Sequence, residues 1–250
     1  MRLVNQIPNY ITLANLFAGT VAAIFAVEGD FKTAAIFVLI GIIFDFFDGF
    51  IARLLNVSGE LGKQLDSLAD MVTSGVVPGI IMLKLIQSNL VVENSLEMKT
   101  YQILDVPLIG LILTLAACYR LASFNLDTRQ TDSFIGLPTP AMCLFVISLP
   151  LIRMHSEVEF VNDLISNNYF LIALTGVLSF LMNADLHLFS LKFKEYSLKN
   201  NYIKYIFIIA SVLLIFTLNF LAIPLIILLY IFLSVFKKTI LLNNKNNKIS

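Results

Sequence analysis

Four carboxylates and one guanidinium interrupt an otherwise apolar stretch: Asp45, Asp48 and Arg53, then Asp66 and Asp70. Asp45 and Asp48 are three residues apart and Asp66 and Asp70 four apart, so each pair shares one face if its segment is helical. An ionised acid near a bilayer centre is unfavourable by about 3 kcal/mol or more unless it is paired or hydrated, which makes an intramembrane acid a functional candidate. If the two segments pack antiparallel, the pairs converge. Four crowded carboxylates repel one another strongly unless divalent cations lie between them. An all-oxygen donor set suits Mg²⁺, Mn²⁺ or Ca²⁺ rather than zinc or copper. Gly49, Ala52 and Gly62 interleave with the acids; small residues there leave room for a ligand or let helices approach closely. The alternative is helix packing with charges snorkelling at a membrane edge, which does not require four acids in register.

The elements that must hold these side chains are membrane helices. Hydrophobic residues make up 58% of the chain and charged residues 14%, and mean hydropathy is +0.86. A soluble domain is nearer half apolar and a quarter charged, so the chain is read as an all-α polytopic membrane protein. The apolar runs predict about eight transmembrane helices, over 10–27, 33–53, 64–87, 105–123, 140–154, 168–183, 203–219 and 221–236. The stretch from Asn219 to Pro224 is too tight for a loop, so the last pair is a helical hairpin or one span with a re-entrant segment. Residues 1–236 are expected to form a single transmembrane domain and 237–250 a polar, disordered tail. With the N-terminus in the cytoplasm, thirteen of the 17 Lys and Arg fall inside, and only Lys32, Lys84, Lys99 and Arg153 outside. That bias puts both termini and the acid cluster on the cytoplasmic side of the cell membrane. A formal net charge of zero gives no case for nucleic acid. Cys118 and Cys143 fall in apolar runs and read as buried small hydrophobes rather than a disulfide or metal pair. The first apolar run lacks a short h-region with a cleavage site and is read as retained.

The spacing D-x-x-D-G-x-x-A-R-(x8)-G-x-x-x-D-x-x-x-D over residues 45–70 resembles the signature of the CDP-alcohol phosphatidyltransferases at every fixed position. The resemblance implies a bundle-type membrane enzyme, commonly homodimeric, in which an alcohol displaces CMP from a CDP-linked lipid with two divalent metals. It implies that Asp45, Asp48 and Asp66 hold one or both metals, that Asp70 completes the second, and that Asp70 is the general base. Arg53 and Lys63 would offset diphosphate charge, and Gly49 and Ala52, with Gly62 beyond them, would floor the cytidine pocket.

Two further regions reach the same membrane level. Pro8 can open a helix, and Asn9, Thr12 and Asn15 follow at helical spacing. This stripe serves capping and interhelical hydrogen bonds, or it touches the polar head of the nucleotide–lipid donor. Downstream, Arg120 and Asn125 end the fourth span. A guanidinium there either grips a carboxylate or phosphate in a bidentate fork or anchors the topology. Gly136, Pro138 and Pro140, with Thr139 between the prolines, make a stiff re-entry into span five. P-N-x-x-T-x-x-N over 8–15, R-L-A-x-F-N over 120–125 and F-x-G-L-P-x-P-A over 134–141 resemble the phosphatidylserine synthase branch of the family. Ser123 departs from that branch, where arginine is common. The branch implies CDP-diacylglycerol and L-serine as substrates, with Arg120, Asn125 and Thr139 as candidates for holding serine. Another acceptor such as glycerol 3-phosphate is the alternative within the family. A cation-coupled transporter is the alternative outside it, and it should scatter acids through the membrane depth rather than cluster them at one level.

Overall fold

A helix crossing lipid satisfies its backbone internally, and the chain meets this demand with ten α-helices among its described residues. The architecture is that of a computed structural model whose described residues are 3–57, 59–93, 106–126, 133–189 and 198–246. Helices α1 (Ile7–Glu28) and α2 (Phe31–Leu54) form a tight hairpin. Gly29 turns left-handed at φ 85° and, with Asp30, closes α1 through bonds to the carbonyls of Ala26 and Phe25 at 3.2 and 3.0 Å. Asp30 then caps α2, accepting from the Thr33 N–H at 3.0 Å. Hydrogen bonds from the Thr33 side chain and amide hold the Asp30 carboxyl below its ordinary value. Ala18, Gly19, Ala22 and Ala26 of α1 and Ala34, Ala35, Val38 and Gly41 of α2 are buried, and side chains this small let two helix backbones run close.

The chain reverses after α2 on Asn56, in the left-handed region at φ 53°, while the Val57 N–H reaches the Ala52 carbonyl at 3.0 Å. Asparagine here does what glycine does at the end of α1. Helix α3 (Glu60–Asp70) follows, then a π-helical segment (Met71–Val76), then α4 (Val77–Glu93). The Val77 N–H reaches five residues back, to Val72. The winding thus changes just before Pro78, which has no N–H to offer the Ser74 carbonyl one turn earlier. Helix α5 (Ile112–Leu126), entered by a 3₁₀ turn over Pro107–Leu111, docks on this rod. Thr114 donates to the Gly75 carbonyl at 3.0 Å. A Cβ on Gly79 would collide with Thr114, and one on Gly110 would lie 2.5 Å from the Leu83 nitrogen.

Helix α6 (Thr139–His155) is buried on nearly all sides. Its 17 residues give about 26 Å at 1.5 Å per residue. Helices α7 (Glu159–Ser166) and α8 (Asn168–Asn183) meet at 78°. A two-stranded antiparallel ribbon pairs β1 (Ser133–Ile135) with β2 (His187–Phe189). Helices α9 (Leu198–Leu218) and α10 (Ala222–Asn246) turn about Asn219, at φ 48°. The rings of Phe207 and Tyr230 lie 5.7 Å apart, so this pair is the hairpin of the two expected alternatives.

Several expectations need correction. Five stretches among the described residues are long and apolar enough to cross a membrane, or six if α7 and α8 count as one, and the fifth, Asn201–Phe236, is the folded hairpin. A count of eight crossings is not confirmed; α6 falls short because a helix enclosed by its neighbours need not match the bilayer. The all-α architecture holds, with the short β1–β2 ribbon beside the helices. Helix α10 continues ten residues into the polar stretch expected to lack structure, since nothing between Leu225 and Ser250 is Gly or Pro. The stretch between the expected spans 140–154 and 168–183 contains α7. Cys143 is buried but Cys118 is exposed, because a lipid-facing helix side is as apolar as a core-facing one. Arg129, Lys192 and Lys194 lie outside the described residues. Phe17, Tyr169 and Phe216 are 69%, 87% and 84% exposed, an apolar surface that suits lipid. The protein is a multi-pass membrane protein.

Candidate active site

The acids converge where α2 ends and α3 begins, and both of these helices pack against α1. Asp45, Asp48 and Asp66 each offer one oxygen within 4.8 Å of the others. Asp48 is the most enclosed, at 6% exposure, and its Oδ2 accepts from the Thr12 hydroxyl at 2.5 Å. That hydroxyl carries one hydrogen and also lies 3.0 Å from the Pro8 carbonyl; the carboxylate, shorter and charged, is the stronger acceptor. Three carboxylate oxygens at this spacing match a hard cation that binds oxygen at about 2.0–2.6 Å, and the donors are all of one chemical kind. The residues present therefore fit the divalent ion that the chemistry calls for.

Asp70 stands outside that trio. Its Oδ1 accepts from Asn15 Nδ2 at 3.4 Å. Asn15 Oδ1 in turn accepts from the Thr73 hydroxyl at 2.8 Å, and the Cys143 thiol meets the Thr73 carbonyl at 3.5 Å. This polar chain crosses from α1 through the π segment to α6. It needs bare backbone on both sides: a Cβ on Gly41 would lie 2.8 Å from Asn15 Oδ1, and one on Gly19 would lie 2.9 Å from Thr73 Cα.

Arg120 faces Asp70 closely enough for their charges to interact. It is 8% exposed, and its Nε is buried with no hydrogen-bond partner among the described residues. Its guanidinium carbon lies 6.0 Å from the Phe124 ring centre. A buried donor left unpaired is unfavourable by about 1–3 kcal/mol, so this group is set up for an anionic partner.

The remaining predicted residues sort into two groups. Gly49 lies under the exposed Arg53, whose Nη1 would stand 3.6 Å from a Cβ there, and a Cβ on Gly62 would stand 3.4 Å from Asn9 Oδ1. With half-buried Ala52, these line the acid end. Others are engaged in hydrogen bonds within the protein. Lys63 Nζ donates to the Asn125 carbonyl at 2.7 Å, the Asn125 amide donates to Ser67 Oγ at 2.8 Å, and Asn9 donates to Gln6 at 2.8 Å. Pro8 is buried at the start of α1. Thr139 is buried in the first turn of α6, on the same face as Cys143 four residues on. Thr73 and Ser67 were not singled out from the sequence; a hydroxyl three residues after Asp70, inside an apolar run, was the available signal for Thr73.

Residues 5–181 match the model of the CDP-alcohol phosphatidyltransferase family. The chain belongs to this family of membrane transferases that move substituted phosphate groups. Among its relatives is the CDP-diacylglycerol–serine O-phosphatidyltransferase of Bacillus subtilis (strain 168), 35% identical over 150 residues, 58% of this chain and 76% of that one. The archaetidylserine synthase of Methanothermobacter thermautotrophicus is 28% identical over 156 residues, 61% of each chain. A CDP-diacylglycerol–serine O-phosphatidyltransferase of Helicobacter pylori (strain J99) is 32% identical over 142 residues, 56% of this chain and 55% of that one. The match thus spans about three quarters of the Bacillus relative and between half and two thirds of the other two.

Proposed function

We propose that the protein joins L-serine to the phosphatidyl group of CDP-diacylglycerol, releasing CMP. The carrying observation is the juxtaposition of the Asp45–Asp48–Asp66 trio with Asp70 and with a buried, unpaired Arg120 Nε. One side of the site suits a diphosphate with its counter-ions and the other a carboxylate. The names of the relatives favour serine as the acceptor.

In the reaction the serine hydroxyl attacks the lipid-side phosphorus of the diphosphate, the bond to the bridging oxygen breaks, and CMP departs. Asp45, Asp48 and Asp66, with Asp70 at their edge, would hold two divalent cations, Mg²⁺ or Mn²⁺ with Ca²⁺ as the third choice. Such ions, when bound, neutralise charge on the diphosphate oxygens. Thr12 fixes the Asp48 carboxylate and Asn15 fixes Asp70. Asp70 takes the hydroxyl proton as the P–O bond forms. Arg120 grips the serine carboxylate through its free N–H, with Asn125 and Thr139 closing that side. Arg53 and Lys63 face the diphosphate, above a floor of Gly49, Ala52 and Gly62. Pro8 and Asn9 hold the start of α1 against the donor head. The distribution of Lys and Arg puts this end and both termini in the cytoplasm, and the family resemblance supports a homodimer.

Purified protein should release CMP from CDP-diacylglycerol on addition of L-serine, only with Mg²⁺ or Mn²⁺, and more readily than with glycerol 3-phosphate. Asp70→Asn should abolish release while the thermal transition is kept. Equal turnover with glycerol 3-phosphate would remove serine as the acceptor, and full activity of Asp70→Asn would remove Asp70 as the base.

A further inference from the structure

Helices α9 and α10 lie beyond the stretch that matches the family, residues 5–181, yet they are bonded to the acid end in three steps. First, Tyr230 Oη donates to the Phe189 carbonyl at 2.8 Å, and the Phe189 N–H donates to Ser234 Oγ at 3.4 Å. One turn of α10 therefore holds the outer edge of β2. Ser234 sends its own proton to the Tyr230 carbonyl at 2.7 Å, which leaves its lone pairs for Phe189. The Phe189 ring stands 5.0 Å from Tyr230 and 6.1 Å from Phe207, in a small apolar cluster separate from the main core.

Second, β2 pairs with β1, Phe189 opposite Ser133 and His187 opposite Ile135. Third, the chain leaving β1 is laid against the end of α8. Gly136, at φ 75°, donates to the Leu186 carbonyl and Leu137 to the Leu181 carbonyl, both at 2.9 Å. A Cβ on Gly136 would strike the Met182 carbonyl. Pro138 then leads straight to Thr139, and one turn further Cys143 reaches the Thr73 carbonyl beside Asp70.

We infer that Tyr230 and Ser234 are positioning residues for the acceptor alcohol: through β2 and β1 they set where Gly136–Thr139, leading into the start of α6, is held. A ribbon of three residues per strand is marginal by itself, so its placement depends on what clamps its free edge. The donor side is held by a bond of its own, Thr12 to Asp48, so the clamp acts on one substrate and not the other. This rests on the assignment of Arg120, Asn125 and Thr139 to the acceptor.

The test uses the full chain in detergent with Tyr230→Phe, which keeps the ring and deletes the hydroxyl, and Ser234→Ala as a second variant. The KM for L-serine should rise about fivefold, the size of one neutral hydrogen bond, with kcat and the KM for CDP-diacylglycerol within about twofold of wild type. An unchanged serine KM, a parallel rise in both KM values, or a loss confined to kcat would overturn the inference. Hydrogen exchange gives a reading independent of turnover: amides over 133–137 should exchange faster in Tyr230→Phe, with 60–76 unchanged. No change over 133–137 would sink the coupling whatever the activity. If the wild type prefers another acceptor, serine falls as the substrate, and the KM of that acceptor becomes the quantity to compare.

Discussion

Asp48 accepts a shorter bond from α1 than Asp70 does. The Thr12 hydroxyl at 2.5 Å orients one carboxylate oxygen and leaves the other for a ligand. Charge-assisted bonds of this kind contribute about 1.5–3 kcal/mol, so Thr12→Val should lower kcat/KM about ten- to hundredfold. It should also raise the Mg²⁺ concentration needed for half-activity, while Thr12→Ser restores both; unchanged metal titration in Thr12→Val would show that the bond does not serve the metal side. The acids themselves were legible in the sequence because charge in an apolar run has few structural explanations. Thr73 was not. A threonine in a membrane helix usually bonds to its own backbone four residues back, as Thr20 does to Leu16 at 2.8 Å, and only the fold shows that Thr73 turns to Asn15 instead. Lys63 and Asn125 carried the right level in the membrane but not their partners, since their mutual bond joins residues 62 apart in sequence.

At the scale of elements, close approach of α1 to the π segment decides whether the acids meet. Gly19→Ala would force Thr73 and its backbone aside, and overpacking of this kind destabilises by about 1–3 kcal/mol. Gly176, in the exposed middle of α8, has nothing within 4 Å of a Cβ position, so Gly176→Ala should be neutral or stabilise by up to about 1 kcal/mol through helix propensity. Thermal unfolding of both variants in one detergent checks the contrast; equal shifts would mean that α1 does not rely on that contact. The helices were readable as apolar runs. Their ends were less so. Helix α10 outruns its apolar stretch because helix formation needs a stop signal, not continuous hydrophobicity, and the ribbon is too short to leave an alternating pattern.

For the molecule as a whole, lysine and arginine placement predicts which side of the membrane carries the acid end. In a Cys118→Ser background, Glu60→Cys should resist a membrane-impermeant maleimide in intact cells and react after lysis, whereas Glu157→Cys should react in intact cells. The reverse pattern would invert the topology. The six residues from Met71 to Val76 impose a different kind of constraint. They hold one residue more than an ordinary winding would, so everything after them is turned by about 100° relative to Asp66 and Asp70. Deleting one would let the rod rewind evenly and become more regular, but it could then present the acids to α1 or the two glycines to α5, not both. Single-residue swaps in that stretch are felt locally, whereas any gain or loss of length is transmitted to both ends of the bundle, so its length is fixed more tightly than its spelling.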